Sequence, residues 1–192
     1  MDVVQVREIL EFAKSNVRYS VFHPMLCFAA YTGARRSEIR RSQLDDLDFE
    51  SSTITIREKK RVRGQWSTRR VPMQKELKSV LINWIESSHP GTNYTFSGFR
   101  VGIDGPTSIT DDQASNFLDS TFRNSRWDVL RGWHIFRHSF CSNCAAAGVE
   151  QRVINEWVGH QTPEMVRRYR HLFPSREQEA IESVFRSASC LS

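Results

Sequence analysis

Apolar residues recur at Val3, Val6, Ile9, Leu10 and Ala13, the spacing that gives a helix one buried stripe. Residues 24–31 are apolar almost throughout, which predicts a second, more buried helix closed by Thr32-Gly33. A further helix is expected over about 36–43. The β-branched alternation Thr53-Ile54-Thr55-Ile56-Arg57 reads as a strand, and residues 68–72 read as its partner across a basic turn containing Gly64. Leu77, Val80, Leu81, Trp84 and Ile85 then predict an amphipathic helix. Residues 88–109, rich in Gly, Ser and Pro, read as the longest loop. Thr110-Asp111-Asp112-Gln113 has the form of a capping box opening a helix to about Phe122. Helices follow over 134–147, ended by Gly148, and 150–157, ended by Gly159. A short one with Pro163 in its first turn and Thr162 as cap should reach Tyr169, and a last one should run over about 175–185. The fold class is therefore mainly α with a small antiparallel β-sheet, in one domain over 1–192.

With 192 residues, 39% apolar and 26% charged, the chain can build one sizeable core without disulfides or metal. No apolar run approaches the roughly 20 residues of a membrane span, and no signal-peptide pattern opens the sequence, so a soluble intracellular setting is expected. Cys141 and Cys144 form a Cys-x-x-Cys pair inside an alanine-rich helical pattern. Zinc would need two further ligands at finger-like spacing, and a redox motif should follow a strand, so these read as inert core thiols. No metal site is expected, because Asp45, Asp46 and Asp48 precede a strand, where they read as turn formers.

Charge is more informative than composition. The 27 basic residues include 22 Arg, the side chain suited to two-pronged phosphate contact. Residues 57–75 carry eight of them, Arg57, Lys59, Lys60, Arg61, Arg63, Arg69, Arg70 and Lys75, against Glu58 alone. That stretch is thus +7, and the rest of the chain sums to −2 out of a net +5. A confined excess of this size points to a polyanion, with nucleic acid first.

Acting on a phosphodiester without metal requires Arg, Lys and His to meet the growing charge and a side chain to supply the nucleophile. Four pieces offer such a set. Thr32-Gly33-Ala34-Arg35-Arg36-Ser37-Glu38 places Arg35 at a turn between helices, and Lys59 and Lys60 sit at the hairpin. His134 and Arg137 are spaced i, i+3 on one helix face, and Val158-Gly159-His160 is followed by Tyr169. Taken singly, each has a plain structural reading: a capped turn, an exposed turn, a chance spacing and a core tyrosine.

Their order and spacing, with Arg70-Val71-Pro72 closing the hairpin and Trp133-His134-x-x-Arg137-His138-Ser139-Phe140 on one helix, resemble the tyrosine recombinases, or phage integrase family, over residues 5–175. The resemblance implies that Arg35 and Arg137 clamp the scissile phosphate and that Tyr169 becomes joined to the DNA 3′-phosphate. Lys60 would protonate the leaving 5′-oxygen, with Lys59 one position away as the alternative register. His134 and His160 would hold the phosphate and assist proton transfer. Glu38 matches the family's acidic residue beside the arginine, as a supporting partner. Arg57, Lys59, Arg61, Arg63, Arg69 and Arg70 are expected to meet DNA phosphates. Phe136 and Val158 depart mildly from the family pattern and keep its apolar character. No cofactor is implied.

The partners implied are double-stranded DNA and other recombinase protomers, as a synaptic tetramer on DNA and a monomer without it. The setting implied is the cytoplasm of a prokaryote or phage host, at the nucleoid. The usual preceding core-binding domain is expected to be absent from this chain. A type IB topoisomerase-like relaxing enzyme and a non-catalytic DNA-binding regulator are the alternative readings.

Overall fold

The computed structural model describes residues 1–16, 18–62, 65–99 and 103–159, with side chains described outside 59–66. The turn at Gly64, the helices expected beyond residue 160 and Cys190 lie outside these residues. The first helix, α1 (Val3–Asn16), buries the expected stripe of Val6, Ile9, Leu10 and Ala13. The second, α2 (Phe22–Thr32), is buried on nearly every side, as its unbroken apolar sequence requires, and packs against α1, α4 (Lys75–Ser87) and α6 (His134–Ala146). Phe22 anchors this core edge-on against Phe117, Phe122 and Trp133, with ring centroids 6.2, 6.2 and 5.9 Å away.

Three strands, β1 (Leu47–Asp48), β2 (Thr53–Val62) and β3 (Gln65–Pro72), form an antiparallel sheet in that order. Ile54 faces Val71 and Ile56 faces Arg69. The period of two therefore puts Arg69 on the same inward face as Val71, and Glu58 on that of Ile54 and Ile56.

Two expectations are corrected. The segment read as the longest loop contains a small hairpin, β4 (Ser97–Phe99) with β5 (Pro106–Ser108). Strands of three residues, Ser-Gly-Phe and Pro-Thr-Ser, are too short to show an alternation. Helix α3 (Arg36–Arg41) stops before Gln43, because Ser42 turns extended and its carbonyl accepts from the Thr95 amide at 2.9 Å, while its hydroxyl meets that of Thr95 at 2.8 Å. The capping box is present as read: Thr110 accepts from the Gln113 amide at 3.1 Å and opens α5 (Asp111–Phe122).

The last described helix, α7 (Gln151–Val158), builds a satellite core with α6 from Cys141, Ala145, Ile154 and Val158. It also packs on β3, so α7 joins the helical layer to the sheet. Among the described residues no helix is long and apolar enough to cross a membrane.

Candidate active site

The site is organised by the turn that follows α2. Gly33 adopts a left-handed conformation (φ 64°, ψ 17°), and its amide closes α2 on the Ala29 carbonyl at 3.1 Å. A Cβ here would lie 2.8 Å from Phe140 Cδ1 and 3.1 Å from Val158 Cγ1, so glycine is needed for packing as well as for backbone. Thr32 steadies the turn, donating to the Phe28 carbonyl at 2.6 Å and accepting from the Ala34 amide at 3.2 Å. Arg35 then leaves the turn extended and caps α3. Its amide donates to Glu38 Oε2 at 2.8 Å and its Nη1 to Oε1 at 2.9 Å.

The same turn receives the second arginine. Arg137 Nη1 donates to the Gly33 carbonyl at 2.9 Å, from a side chain with only 2% of its surface exposed. Its Nε and Nη2 have no hydrogen-bond partner among the described residues. A buried donor without a partner costs about 1–3 kcal/mol, more when charged, so the residue is held in a state that an oxyanion would relieve. Burial first, and then the charge of Arg35, bring its pKa down to about 10, still cationic at neutral pH. His134 sits at the first turn of α6. Partial burial, and then the charges of Arg137, Arg35 and Arg36, hold its imidazole below the ordinary value of 6.5. Arg35, Arg137 and His134 therefore share one positive field.

The remaining arginines of α3 point elsewhere. Arg36 Nε and Arg40 Nη1 pair with Asp111 at 3.0 and 2.6 Å, which ties α3 to α5. Two arginines assigned to phosphate contact are committed to the protein instead. Arg57 Nε pairs with Asp46 at 2.8 Å, and Asp46 also accepts from the Gln43 amide at 2.8 Å, so its role is the turn-forming one. The Arg69 side chain is 7% exposed and all three of its nitrogens are engaged: Nη2 reaches Glu38 at 2.7 Å, Nη1 reaches Glu58 at 3.2 Å, and Nε donates to the Trp157 carbonyl at 2.7 Å. Its inward parity with Val71 was the sequence signal for this. Arg70, on the opposite face of β3, is exposed.

Lys59, Lys60, Arg61 and Arg63, together with His160 and Tyr169, lie outside the residues whose side chains are described. Cys141 is buried, and burial first, with Cys141 second, pushes the Cys144 thiol up to about 12, which suppresses thiolate chemistry there.

The fold is that of a tyrosine recombinase catalytic domain. The crystal structure of XerA recombinase superposes with a TM-score of 0.73 at 20% identity, over 95% of this chain and 64% of that one. The catalytic domain of bacteriophage HP1 integrase gives 0.66 at 22% identity, over 95% of this chain and 92% of that one. The chain belongs to the phage integrase family, which matches residues 1–176. A provisionally named integrase/recombinase of Sinorhizobium fredii is 28% identical over 154 residues, 77% of this chain. The chain spans 44% of that relative's length.

Proposed function

We propose that this chain is the catalytic module of a site-specific DNA recombinase or integrase that breaks and rejoins strands through a 3′-phosphotyrosine. The observation that carries the reading is the Arg137 guanidinium, buried with its Nε and Nη2 unpaired among the described residues, beside Arg35 on the same glycine turn. Two forked cations of this kind suit the non-bridging oxygens of a phosphodiester, whose charge grows in the transition state. Tyr169 would attack phosphorus, forming the phosphotyrosine bond as the bond to the 5′-oxygen breaks. The tyrosine proton passes to His134 or His160, and Lys60, or Lys59 in the alternative register, gives a proton to the leaving oxygen. His134 suits the accepting role, because its depressed pKa keeps the ring neutral at pH 7. Attack by another strand's 5′-hydroxyl reverses the step, which makes strand exchange possible without an external energy source. Double-stranded DNA and further protomers assembled on it are the partners this reading requires.

The direct test is a nicked suicide duplex that traps the covalent adduct. Wild type is expected to form it, and Tyr169→Phe to form none while keeping fold and weak DNA binding, since only the nucleophilic oxygen is lost. An adduct that persists in Tyr169→Phe removes the assignment. Rapid relaxation of a plasmid lacking any recombination site would instead favour a topoisomerase-like enzyme.

A further inference from the structure

Glu38 is 2% exposed, and its carboxylate is surrounded by four donors from two arginines. Oε1 accepts from Arg35 Nη1 at 2.9 Å and Arg69 Nη1 at 3.2 Å, and Oε2 from the Arg35 amide at 2.8 Å and Arg69 Nη2 at 2.7 Å. Glu58 balances the second arginine, accepting from Arg69 Nη1 at 3.2 Å and from the Ser67 hydroxyl at 2.7 Å. The quartet Arg35, Glu38, Arg69 and Glu58 is neutral as a whole, and Arg35 is its most open member, with 35% of its side chain exposed.

Arg69 also reaches the far wall of the site. Its Nε holds the Trp157 carbonyl at 2.7 Å in the last turn of α7. Two residues on, Gly159 takes a backbone conformation reserved for glycine (φ 77°, ψ 167°), and a Cβ there would stand 2.5 Å from Glu58 Oε1. The end of α7 is thus seated directly on the Glu58–Arg69 pair. Its chain continues into the segment carrying His160.

We infer that Arg69 is a positioning residue: by gripping Glu38, Glu58 and the Trp157 carbonyl together, it sets the pose of Arg35 and keeps Glu38 from cancelling the Arg35 charge. The inference rests on reading Arg35 as a ligand of the scissile phosphate. Without Arg69, Glu38 has Arg35 as its one hydrogen-bonded cationic partner among the described residues, and the former quartet carries −1 where a phosphate must enter. Lysine cannot substitute, since a single ammonium does not span two carboxylates and a carbonyl in one plane. Burial alone would raise the Glu38 pKa, and it is the largest single effect. The hydrogen bonds and charge of Arg69, with the amide and charge of Arg35, outweigh it and hold Glu38 below the ordinary carboxylate value. The other charged groups within reach of Glu38, namely Glu58, Arg41, His134 and Arg137, are unchanged when Arg69 is replaced.

The test measures single-turnover adduct formation on the suicide duplex from about pH 5 to about pH 9 for the full chain, Arg69→Met and Arg69→Lys, with circular dichroism as the fold control. Arg69→Met is expected to cleave about 10²-fold more slowly at saturating DNA, the scale of a misplaced catalytic group, with the Kd for DNA changed less than about threefold. Its acid limb moves to higher pH, because Glu38 without Arg69 takes up a proton more readily; a loss of folded protein alone would lower the rate evenly across pH. Arg69→Lys keeps the acid limb near its wild-type place and is about tenfold slower. A folded Arg69→Met with wild-type rate and an unmoved acid limb overturns the inference. Should that variant not fold, a wild-type rate in Arg69→Lys does the same. A wild type that forms no adduct overturns the recombinase reading and this inference with it, whereas a normal adduct with indifferent Arg69 variants overturns this inference alone.

Discussion

Arg137 and His134 lie one helical turn apart and are tuned in the same direction by different surroundings. Arg137 is buried on the Gly33 carbonyl and stays cationic, whereas His134 is kept neutral by partial burial and by the arginines beside it. The sign of the linkage follows. Well above pH 6.5 the ring is neutral folded or unfolded, and as pH falls through 6.5 the unfolded chain takes up the proton before the folded one, so this group withdraws stability from around pH 6.5 downward until the folded ring protonates too. Removing a neighbouring cation should therefore raise the His134 pKa. In an NMR titration the His134 midpoint is expected below 6.5 in the free protein and higher in Arg35→Gln. An unmoved midpoint would mean that the two side chains do not share a field. The His134/Arg137 pairing was legible from its spacing and neighbours, but the state of each group was not, because burial is set by distant segments such as Gly33, 104 residues away from Arg137.

At the scale of elements, the helices with strong periodicity or an unbroken apolar run were readable: α1, α2 and α4 carry their core positions in the order the pattern gives, and α5 opens at the capping box that announced it. The end of α3 was not, since it is set by a hydrogen bond between distant segments, Ser42 and Thr95, and neither was the β4–β5 hairpin, whose three-residue strands are too short to show an alternation. The Gly33 turn is the element on which most depends, because it closes α2, admits Phe140 and Val158, launches Arg35 and anchors Arg137. Gly33→Ala combines a left-handed alanine with a Cβ at 2.8 Å from an aromatic ring held in the satellite packing. It should destabilise the fold by about 1–3 kcal/mol from backbone strain alone, with steric displacement of α6 added to that. Thermal unfolding followed by circular dichroism checks it, and an unchanged Tm would show that α6 and α7 yield easily and do not hold the site rigid.

Across the whole molecule, the basic stretch that first pointed to a polyanion divides into two populations with different duties. Its +7 excess is a property of the sequence, but Arg57 and Arg69 pair with Asp46 and Glu38 from other parts of the chain, and Arg69 also with Glu58 inside the stretch. Counting charges along the chain could not reveal this, because the balancing carboxylates lie outside the stretch or on its inner face. Arg70 remains on the outer face of β3, exposed and pointing away from the core. A salt series on duplex binding separates the two kinds. Arg70→Ala should weaken binding to any sequence and flatten the slope of log K against log salt by about 0.9, the loss of one phosphate contact, with Tm unchanged. Arg57→Ala should do the reverse. It leaves Asp46, 4% exposed, without its guanidinium, at a cost of about 1–3 kcal/mol in stability, while the salt slope stays where it was. A flattened slope in Arg57→Ala, or none in Arg70→Ala, would overturn this division, since the register, with Arg70 opposite Thr55 and Thr68 opposite Arg57, puts both side chains on the face away from Arg69 and leaves their partners alone to separate their duties.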